Sequence, residues 1–227
     1  MELTGISSMA TKMILNEIAA LYEKQTGCRV VIESVGGVDA ARRVRAGETF
    51  DFVALAREAL EALQHEGLLA QGAVVPFALS PVALAARHGA PKPNITDEAA
   101  VRHAMEHAAS IGYSTGPSGA HLMKLIETWR LGDALAPRLV KAPAGVPVAR
   151  LVAEGKAEFG FQQLSELSNT PGVDVIGLLP QAIQSVTVFA AGAGAHARDG
   201  RSSAAFLAFL ASPQTAPIKQ HYGMEPA

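Results

Sequence analysis

Residues 29–55 read RVVIESVGGVDAARRVRAGETFDFVAL, in which a helical segment separates two apolar runs. The runs Arg29–Ser34 and Asp51–Leu55 have the composition of buried strands, and Asp39–Arg45 between them forms a short helix after Gly36-Gly37. A helix between two strands carries the chain back along the sheet, so the two strands can pair in parallel. This stretch therefore predicts an α/β fold with helices packed over a parallel sheet.

The same alternation of strands and helices continues on both sides of this stretch. Upstream, the sequence predicts a strand over Leu3–Ile6 and an amphipathic helix over Thr11–Lys24. The elements predicted downstream are the helices Glu58–His65, Asp97–Ala109, Ser118–Leu131, Pro147–Glu154, Ser202–Ala211 and Pro213–His221, and the strands Ser110–Tyr113, Arg138–Lys141 and Phe159–Gln162.

Two long apolar segments interrupt this pattern. Ala73–Arg87 contains the run VVPFALSPVALAAR, and Gln184–Ala190 reads QSVTVFA. They bracket the second α/β set, so we interpret them as strands that cross between two lobes. The sequence thus predicts two Rossmann-like lobes with mixed, mostly parallel sheets, one formed by residues 1–78 plus 190–227 and the other by residues 79–189.

Composition narrows the class of protein. Hydrophobic residues make up 49% of the 227 residues and charged residues 18%, which suffices for full cores. The net charge of −2 and the absence of a basic run argue against a nucleic-acid partner, and no apolar stretch is long enough for membrane insertion. The single cysteine, Cys28, excludes a disulfide within the chain. We expect a monomer without a cofactor.

Residues 1–5 have neither a basic nor an apolar signal region. The sequence therefore leaves two locations open. The protein is cytoplasmic if Met1 is the native start, and periplasmic if a signal peptide has been removed.

Five places share a pattern in which a strand ends, small or hydroxylated residues follow, and a helix begins. Helix N-termini at the carboxyl ends of parallel strands favour anions, although Ser and Gly at such positions often only cap the helix. Gln162 and Gln163 add polar groups after a later strand. The candidate ligand-binding residues are Ser7, Ser8, Gly37, Val38, Ala56, Arg57, Ser114, Thr115, Ser118, Gly145, Val146, Gln162 and Gln163.

Four phrases resemble the molybdate-binding protein family: IAALYEKQTG at 18–27, DFVALA at 51–56, VAEGKAEFGF at 152–161 and AFLASP at 208–213. They occur in the family's order along nearly the whole chain. The resemblance implies the type II periplasmic-binding-protein fold, whose lobes close on an oxyanion held by serine hydroxyls and backbone N–H groups from both lobes. It also implies an ABC transporter permease as the partner of a protein that serves uptake.

By position in the family pattern, Ser7 or Ser8 corresponds to the first-lobe serine, Ala56 to a backbone donor, and Gly145 or Val146 to the second-lobe donor. This sequence departs from the family at three places. The second serine falls near Gly37 or Val38, a tyrosine falls at Gln163, and Arg57 replaces a small polar or acidic residue.

Arg57 opposes the dipole of the helix that it begins, so it is either an exposed surface residue or a guanidinium that binds a ligand carboxylate. Together with the lost serine, this residue predicts a small carboxylate or another oxyanion rather than molybdate as the ligand.

Aconitate isomerases resemble the same family, so the alternative function is isomerisation of a tricarboxylate such as aconitate. Moving a proton along an allylic system needs a base that is active near neutral pH. His121 is the candidate, with Glu166 behind it, although His121 is read equally well as a packing residue. An effector domain of a LysR-type regulator shares the fold class, but no helix-turn-helix precedes the first strand.

The other histidines are scattered along the chain. His103 and His107 lie four residues apart and share a helix face, but the sequence places no third ligand near them. Since a transition-metal site typically needs three or four convergent ligands, no metal site is expected.

Overall fold

Strands and helices alternate along the chain as the sequence predicts. The computed structural model describes residues 2–72 and 74–227, so Met1 and Ala73, the first residue of the predicted segment Ala73–Arg87, lie outside the described residues. The chain divides into two units, one formed by Met1–Ser80 with Thr187–Ala227 and the other by Pro81–Val186. Among the helices of the described residues, none has the length and apolar character needed to cross a membrane.

Unit 1 contains a mixed sheet and the helices that cover it. Its elements are β1 (Glu2–Ser8), α1 (Lys12–Thr26), β2 (Arg29–Val35), α2 (Gly37–Arg45), β3 (Phe52–Ala56), α3 (Arg57–His65), the first part of β4 (Val75–Arg87), β9 (Val186–Ala193), α9 (Gly200–Leu210), α10 (Ala216–His221) and β10 (Glu225–Pro226). The strand order is β2-β1-β3-β9-β4, with β10 also paired to β4. Strands β1, β2 and β3 run parallel, whereas β9 is antiparallel to β3 and β10 to β4.

Both faces of this sheet are covered, which explains why β3 is almost continuously buried. Alternate residues of a strand point to opposite faces. Phe52 packs in a cluster with residues of α1 and α9, and Val53 packs in a second cluster with residues of α2 and α3. Gly5 of β1 makes room for Phe52, because a side chain at Gly5 would overlap the Phe52 ring.

Asp51, just before β3, ties together three segments of unit 1. The residue is 2% exposed, and its carboxylate accepts hydrogen bonds from Thr4 N at 2.8 Å, Thr4 Oγ1 at 3.0 Å and Arg198 N at 2.9 Å. The guanidinium of Arg198 lies 2.7 Å away. Burial alone would raise the pKa of Asp51, but the bonds from Arg198 and Thr4 outweigh it and hold that pKa well below its usual value.

Unit 2 contains a second mixed sheet. Besides the second part of β4, its elements are α4 (Glu98–His107), β5 (Ile111–Tyr113), α5 (Pro117–Thr128), α6 (Gly132–Leu135), β6 (Leu139–Lys141), α7 (Val148–Ala153), β7 (Phe159–Gln163), α8 (Leu164–Leu167) and β8 (Val173–Leu178). The strand order is β4-β7-β5-β6, with β8 also paired to β4. Strands β5, β6 and β7 run parallel, and β7 and β8 are antiparallel to β4.

The two chain ends of unit 2 are joined to each other by hydrogen bonds. Val82 N donates to Ser185 O at 3.1 Å and to Gln184 Oε1 at 2.9 Å. Gln184 Nε2 donates in turn to Val82 O and to Leu179 O, both at 3.1 Å. The buried clusters of this unit use residues from 82 to 183.

Several predicted boundaries were wrong, each for a local reason. The helix predicted over Asp97–Ala109 begins at Glu98, because the Asp97 side chain accepts from Ala100 N at 2.8 Å and so caps the helix. The helix predicted to reach Leu131 ends at Thr128, since Arg130 has a left-handed φ of 58° and a separate short helix, α6, follows. The prediction also missed β8 and β10.

Candidate functional site

In unit 1, the carboxyl ends of β1, β2 and β3 lie at one edge of the sheet, because these strands are parallel. Helices α2 and α3 begin directly after β2 and β3, and a 3₁₀ turn over Met9–Thr11 leads from β1 into α1. The residues that cap the 3₁₀ turn, α2 and α3 are Ser8, Gly36 and Ala56, and none makes a side-chain capping bond. This edge therefore presents helix-start N–H groups without side-chain caps, which favour an anion.

Buried hydroxyl groups lie at the same edge. Ser7 is fully buried, and its Oγ lies 2.8 Å from Ser34 Oγ at the end of β2. Ser8 is 6% exposed, and its Oγ lies 3.5 Å from Thr11 Oγ1. Gly37 lies beside Ser8, since a side chain added at Gly37 would contact the Ser8 Cβ at 3.7 Å. The sequence has no serine at Gly37 or Val38, where the family pattern has its second serine, but Ser34 supplies a hydroxyl at this edge.

Arg57 is the first residue of α3 and is exposed. Its Nε lies 2.7 Å from Glu61 Oε1, one helical turn away, and half of the arginine side chain remains exposed. Exposed pairs of this kind contribute only about 0.3–0.5 kcal/mol, so a ligand carboxylate could displace Glu61 at little cost. Val38, another predicted ligand residue, is 62% exposed on the first turn of α2.

In unit 2, the start of α5 presents a comparable arrangement. Its capping residue, Gly116, has no side chain, and Gly119 packs directly against the backbone of Ser114, where any side chain would overlap the carbonyl oxygen. Ser118 is fully buried, and its Oγ has no hydrogen-bond partner among the described residues. Such a group costs about 1–3 kcal/mol, which a ligand acceptor would recover. Thr115 is exposed.

Gln162, Glu166 and the start of α7 form one hydrogen-bonded group. Gln162 is 2% exposed, its Oε1 accepts from Val148 N at 3.2 Å, and its side chain is bonded to the Glu166 carboxyl. Burial raises the pKa of Glu166 to about 7, and the bond from Gln162 limits that rise. Glu166 therefore exchanges a proton near neutral pH. Gln163, the next residue of β7, is also buried.

The predicted backbone donors before α7 differ from each other. Gly145 is exposed and has a left-handed φ of 74°, which glycine adopts without strain. The Val146 N–H donates to Pro143 O at 3.0 Å and is therefore engaged in a turn.

His121 lies one turn into α5 and is half-buried. Its Nε2 lies 2.8 Å from Ile183 O, so this nitrogen carries a proton and Nδ1 of the neutral ring is the acceptor. The ring centroid lies 6.2 Å from that of Phe161. His121 and Glu166 are therefore held by different partners, Ile183 and Gln162.

A family model described as "Bacterial extracellular solute-binding protein" matches residues 3–225. The chain belongs to this family. An aconitate isomerase from a Pseudomonas species is 34% identical to this solute-binding protein over 230 residues, which cover 99% of the chain and 87% of that relative. The molybdate-binding protein ModA of Azotobacter vinelandii is 26% identical over 221 residues, covering 92% and 84%.

Solved structures share the fold at lower sequence identity. The periplasmic molybdate-binding protein of Azotobacter vinelandii aligns with a TM-score of 0.82 and 20% identity, covering 98% of both chains. The sulfate-binding protein SubI of Mycobacterium tuberculosis H37Rv aligns with a TM-score of 0.79 and 15% identity, covering 100% of this chain and 87% of its own. The predicted resemblance and the periplasmic-binding-protein fold class are thereby confirmed.

Proposed function

We propose that this solute-binding protein binds a small carboxylate or a related oxyanion at buried hydroxyls that lie beside helix starts. The observation that carries the proposal is the presence, in each unit, of buried hydroxyls beside helix starts that no side chain caps. When Ser7 Oγ donates to Ser34 Oγ, the Ser34 proton is left for a ligand oxygen; in the opposite orientation the Ser7 proton goes to Ser8 O, 3.3 Å away. Ser118 brings a buried hydroxyl that has no hydrogen-bond partner among the residues that the structure describes.

A carboxylate is favoured over molybdate by the residues that depart from the family pattern. A guanidinium binds a carboxylate through two parallel hydrogen bonds, and the pair that Arg57 forms with Glu61 is exposed. In this role the protein would act outside the cytoplasmic membrane and deliver its ligand to an ABC transporter permease, as the extracellular family implies.

Calorimetric titration tests the proposal. The anions to be titrated are molybdate, sulfate, citrate, cis-aconitate and trans-aconitate. A hydrogen bond to a charged group contributes about 1.5–3 kcal/mol, so the loss of a hydroxyl that binds the ligand, in Ser34→Ala or in Ser118→Ala, should weaken carboxylate affinity by about 10- to 100-fold. Arg57→Ala should weaken the affinity for the carboxylates.

Ser212→Ala is the matched control for Ser118→Ala. Ser212 Oγ is also buried without a partner among the described residues, but Ser212 precedes the 3₁₀ turn over Pro213–Thr215, after α9 rather than after a strand. Its loss should leave affinity unchanged. Tight molybdate binding that Arg57→Ala does not alter would refute the preference for carboxylates.

A second candidate function, isomerisation of an aconitate-type tricarboxylate, is favoured by the proton exchange of Glu166 near neutral pH. The 34% identical aconitate isomerase supports the same reaction class. A base removes a proton from the methylene carbon next to the double bond, the double bond shifts, and a proton is returned to the former alkene carbon. No co-reactant is needed, and a base with a pKa near the working pH is suited to both transfers.

Incubation with trans-aconitate in D₂O, followed by NMR, tests this second function. Turnover should place deuterium on the former alkene carbon. The loss of a general base typically costs about 10²-fold or more. Glu166→Gln and His121→Gln remove the two candidate bases separately, so whichever variant loses turnover while retaining affinity identifies the base. If the wild-type protein binds carboxylates without turnover, the binding role stands and the isomerase role is excluded.

A further inference from the structure

One face of α4 in unit 2 carries three side chains with metal-binding atoms. His103, Glu106 and His107 lie at positions i, i+3 and i+4, which fall on the same side of an α-helix. One ligand atom from each lies within 4.8 Å of the others. Both histidines are exposed and Glu106 is half-buried, so a hydrated ion can reach all three.

The hydrogen bonds of His107 and Glu106 leave on each residue one atom with a lone pair that can bind a metal ion. His107 Nδ1 lies 2.8 Å from His103 O and donates its proton there, so Nε2 keeps its lone pair. A backbone carbonyl commonly fixes the tautomer of a metal-binding histidine in this way. The His103 and His107 ring centroids are 4.1 Å apart, and Glu106 binds Arg102 through Oε1 at 2.9 Å, which leaves its second oxygen for an ion.

A cavity of about 440 Å³ lies against the same helix face. His103, His107, Pro93, Asn94 and Glu158 contribute to its wall. Glu158 accepts from Ala109 N through Oε2 and places a further carboxylate at this cavity. The cavity lies wholly within unit 2, and none of the residues that form it belongs to the anion-binding candidates.

We propose that His103, Glu106 and His107 form a binding site for a divalent transition-metal ion. Imidazole nitrogens select Zn²⁺, Ni²⁺ and Cu²⁺ over Mg²⁺ and Ca²⁺, which take mainly oxygen ligands. Three protein ligands leave at least one coordination position for water or for a small ligand in the adjoining cavity.

Calorimetry with ZnCl₂ and NiCl₂ on tag-free protein tests the proposal. We expect one ion per chain, and no saturable binding of Mg²⁺ at the same site. Mutation of residues that only hydrogen-bond to metal ligands typically lowers metal affinity by roughly 10–100-fold. Removal of a ligand itself, in His103→Ala or in His107→Ala, should therefore weaken Zn²⁺ and Ni²⁺ binding at least tenfold. The double variant His103→Ala/His107→Ala should abolish it.

The matched control is the double variant His196→Ala/His221→Ala, which also removes two histidines but should bind Zn²⁺ and Ni²⁺ like the wild-type protein. His103 and His107 are exposed, so far-ultraviolet circular dichroism should be unchanged in their variants. Zn²⁺ binding that survives the loss of both His103 and His107, or an absence of Zn²⁺ and Ni²⁺ binding by the wild-type protein, would overturn the proposal. Carboxylate affinity should be the same in all of these proteins, which separates this test from that of the proposed function.

Discussion

Replacing Glu166 by Gln should change how the stability of the protein depends on pH. Glutamine keeps the size of the side chain and can still accept the hydrogen bond from Gln162, but it cannot ionise. Burial raises the pKa of Glu166 from 4.5 to about 7 in the folded protein. Because the folded pKa exceeds the unfolded one, the stabilisation is fully present below pH 4.5 and is lost as the pH rises through 7.

The interval between the two pKa values sets the size of the effect. One pH unit corresponds to about 1.36 kcal/mol, so an interval of about 2.5 units gives an upper limit of about 3 kcal/mol. Glu166 retains partial exposure, and we therefore expect about 2 kcal/mol. The free energy of unfolding of the variant minus that of the wild-type protein should therefore increase by this amount between pH 4.5 and a pH above 7.

Urea unfolding of both proteins at pH 4.5, 6, 7 and 8 measures this difference. Glu154→Gln is the control, since Lys156 and Arg150 lower the pKa of exposed Glu154. That variant should show no gain in stability on going to pH 8. If the difference between Glu166→Gln and the wild-type protein stays constant from pH 4.5 to 8, the carboxyl of Glu166 is not held in its protonated form, and the argument for it as a base near neutrality fails.

Three further variants test the packing around the candidate site and the sheet of unit 1. Asp51→Asn should lower the free energy of unfolding at pH 7 by about 3 kcal/mol, because it removes the buried negative charge that Arg198 and Thr4 bind. Urea unfolding should also show that this loss of stability becomes smaller as the pH falls below 3.8. Burial lowers the pKa of Lys219 to about 8, so wild-type stability should rise between pH 8 and 10.5, whereas Lys219→Met should be flat over that window in the same assay. Gly119→Ala forces a methyl group onto the Ser114 carbonyl and should cost about 1–3 kcal/mol in thermal unfolding while weakening carboxylate binding; an unchanged melting temperature would contradict the close packing of α5.

Hydrophobic periodicity was sufficient to predict most of the fold. Each strand between Leu3 and Gln162 that was predicted from an apolar run exists. The run is nearly continuous in β3, because both faces of its sheet are covered, whereas exposed and half-buried residues alternate along most of β2. The strand β8 was missed because Asp174 and Gly177 break its apolar run, and its residues are only half-buried. Pairing with β4 forms this strand, and pairing across distant sequence is not visible in local composition.

The candidate site was predicted at the level of segments rather than of atoms. Pattern reasoning selected Ser7 and Ser118 as candidates, because hydroxyls between a strand and a helix are local features. It did not find Ser34 as the partner of Ser7, since the contact depends on the register between β1 and β2. It also overlooked Glu106, although the sequence HAMEH places this residue beside both histidines, and the raised pKa of Glu166 depends on burial that only the folded chain provides.

The hydrogen bonds between the two ends of unit 2 have a consequence for how the gene can be divided. Residues 81–186 form one uninterrupted segment, and Val82 N meets Ser185 O and the Gln184 side chain. A reading frame for this segment alone therefore encodes the bonded residues at its two ends and all residues of its buried clusters. Excised and expressed by itself, the segment offers a half-size target for spectroscopy, in which the Zn²⁺ titration and the environment of Glu166 can be followed without the residues of unit 1.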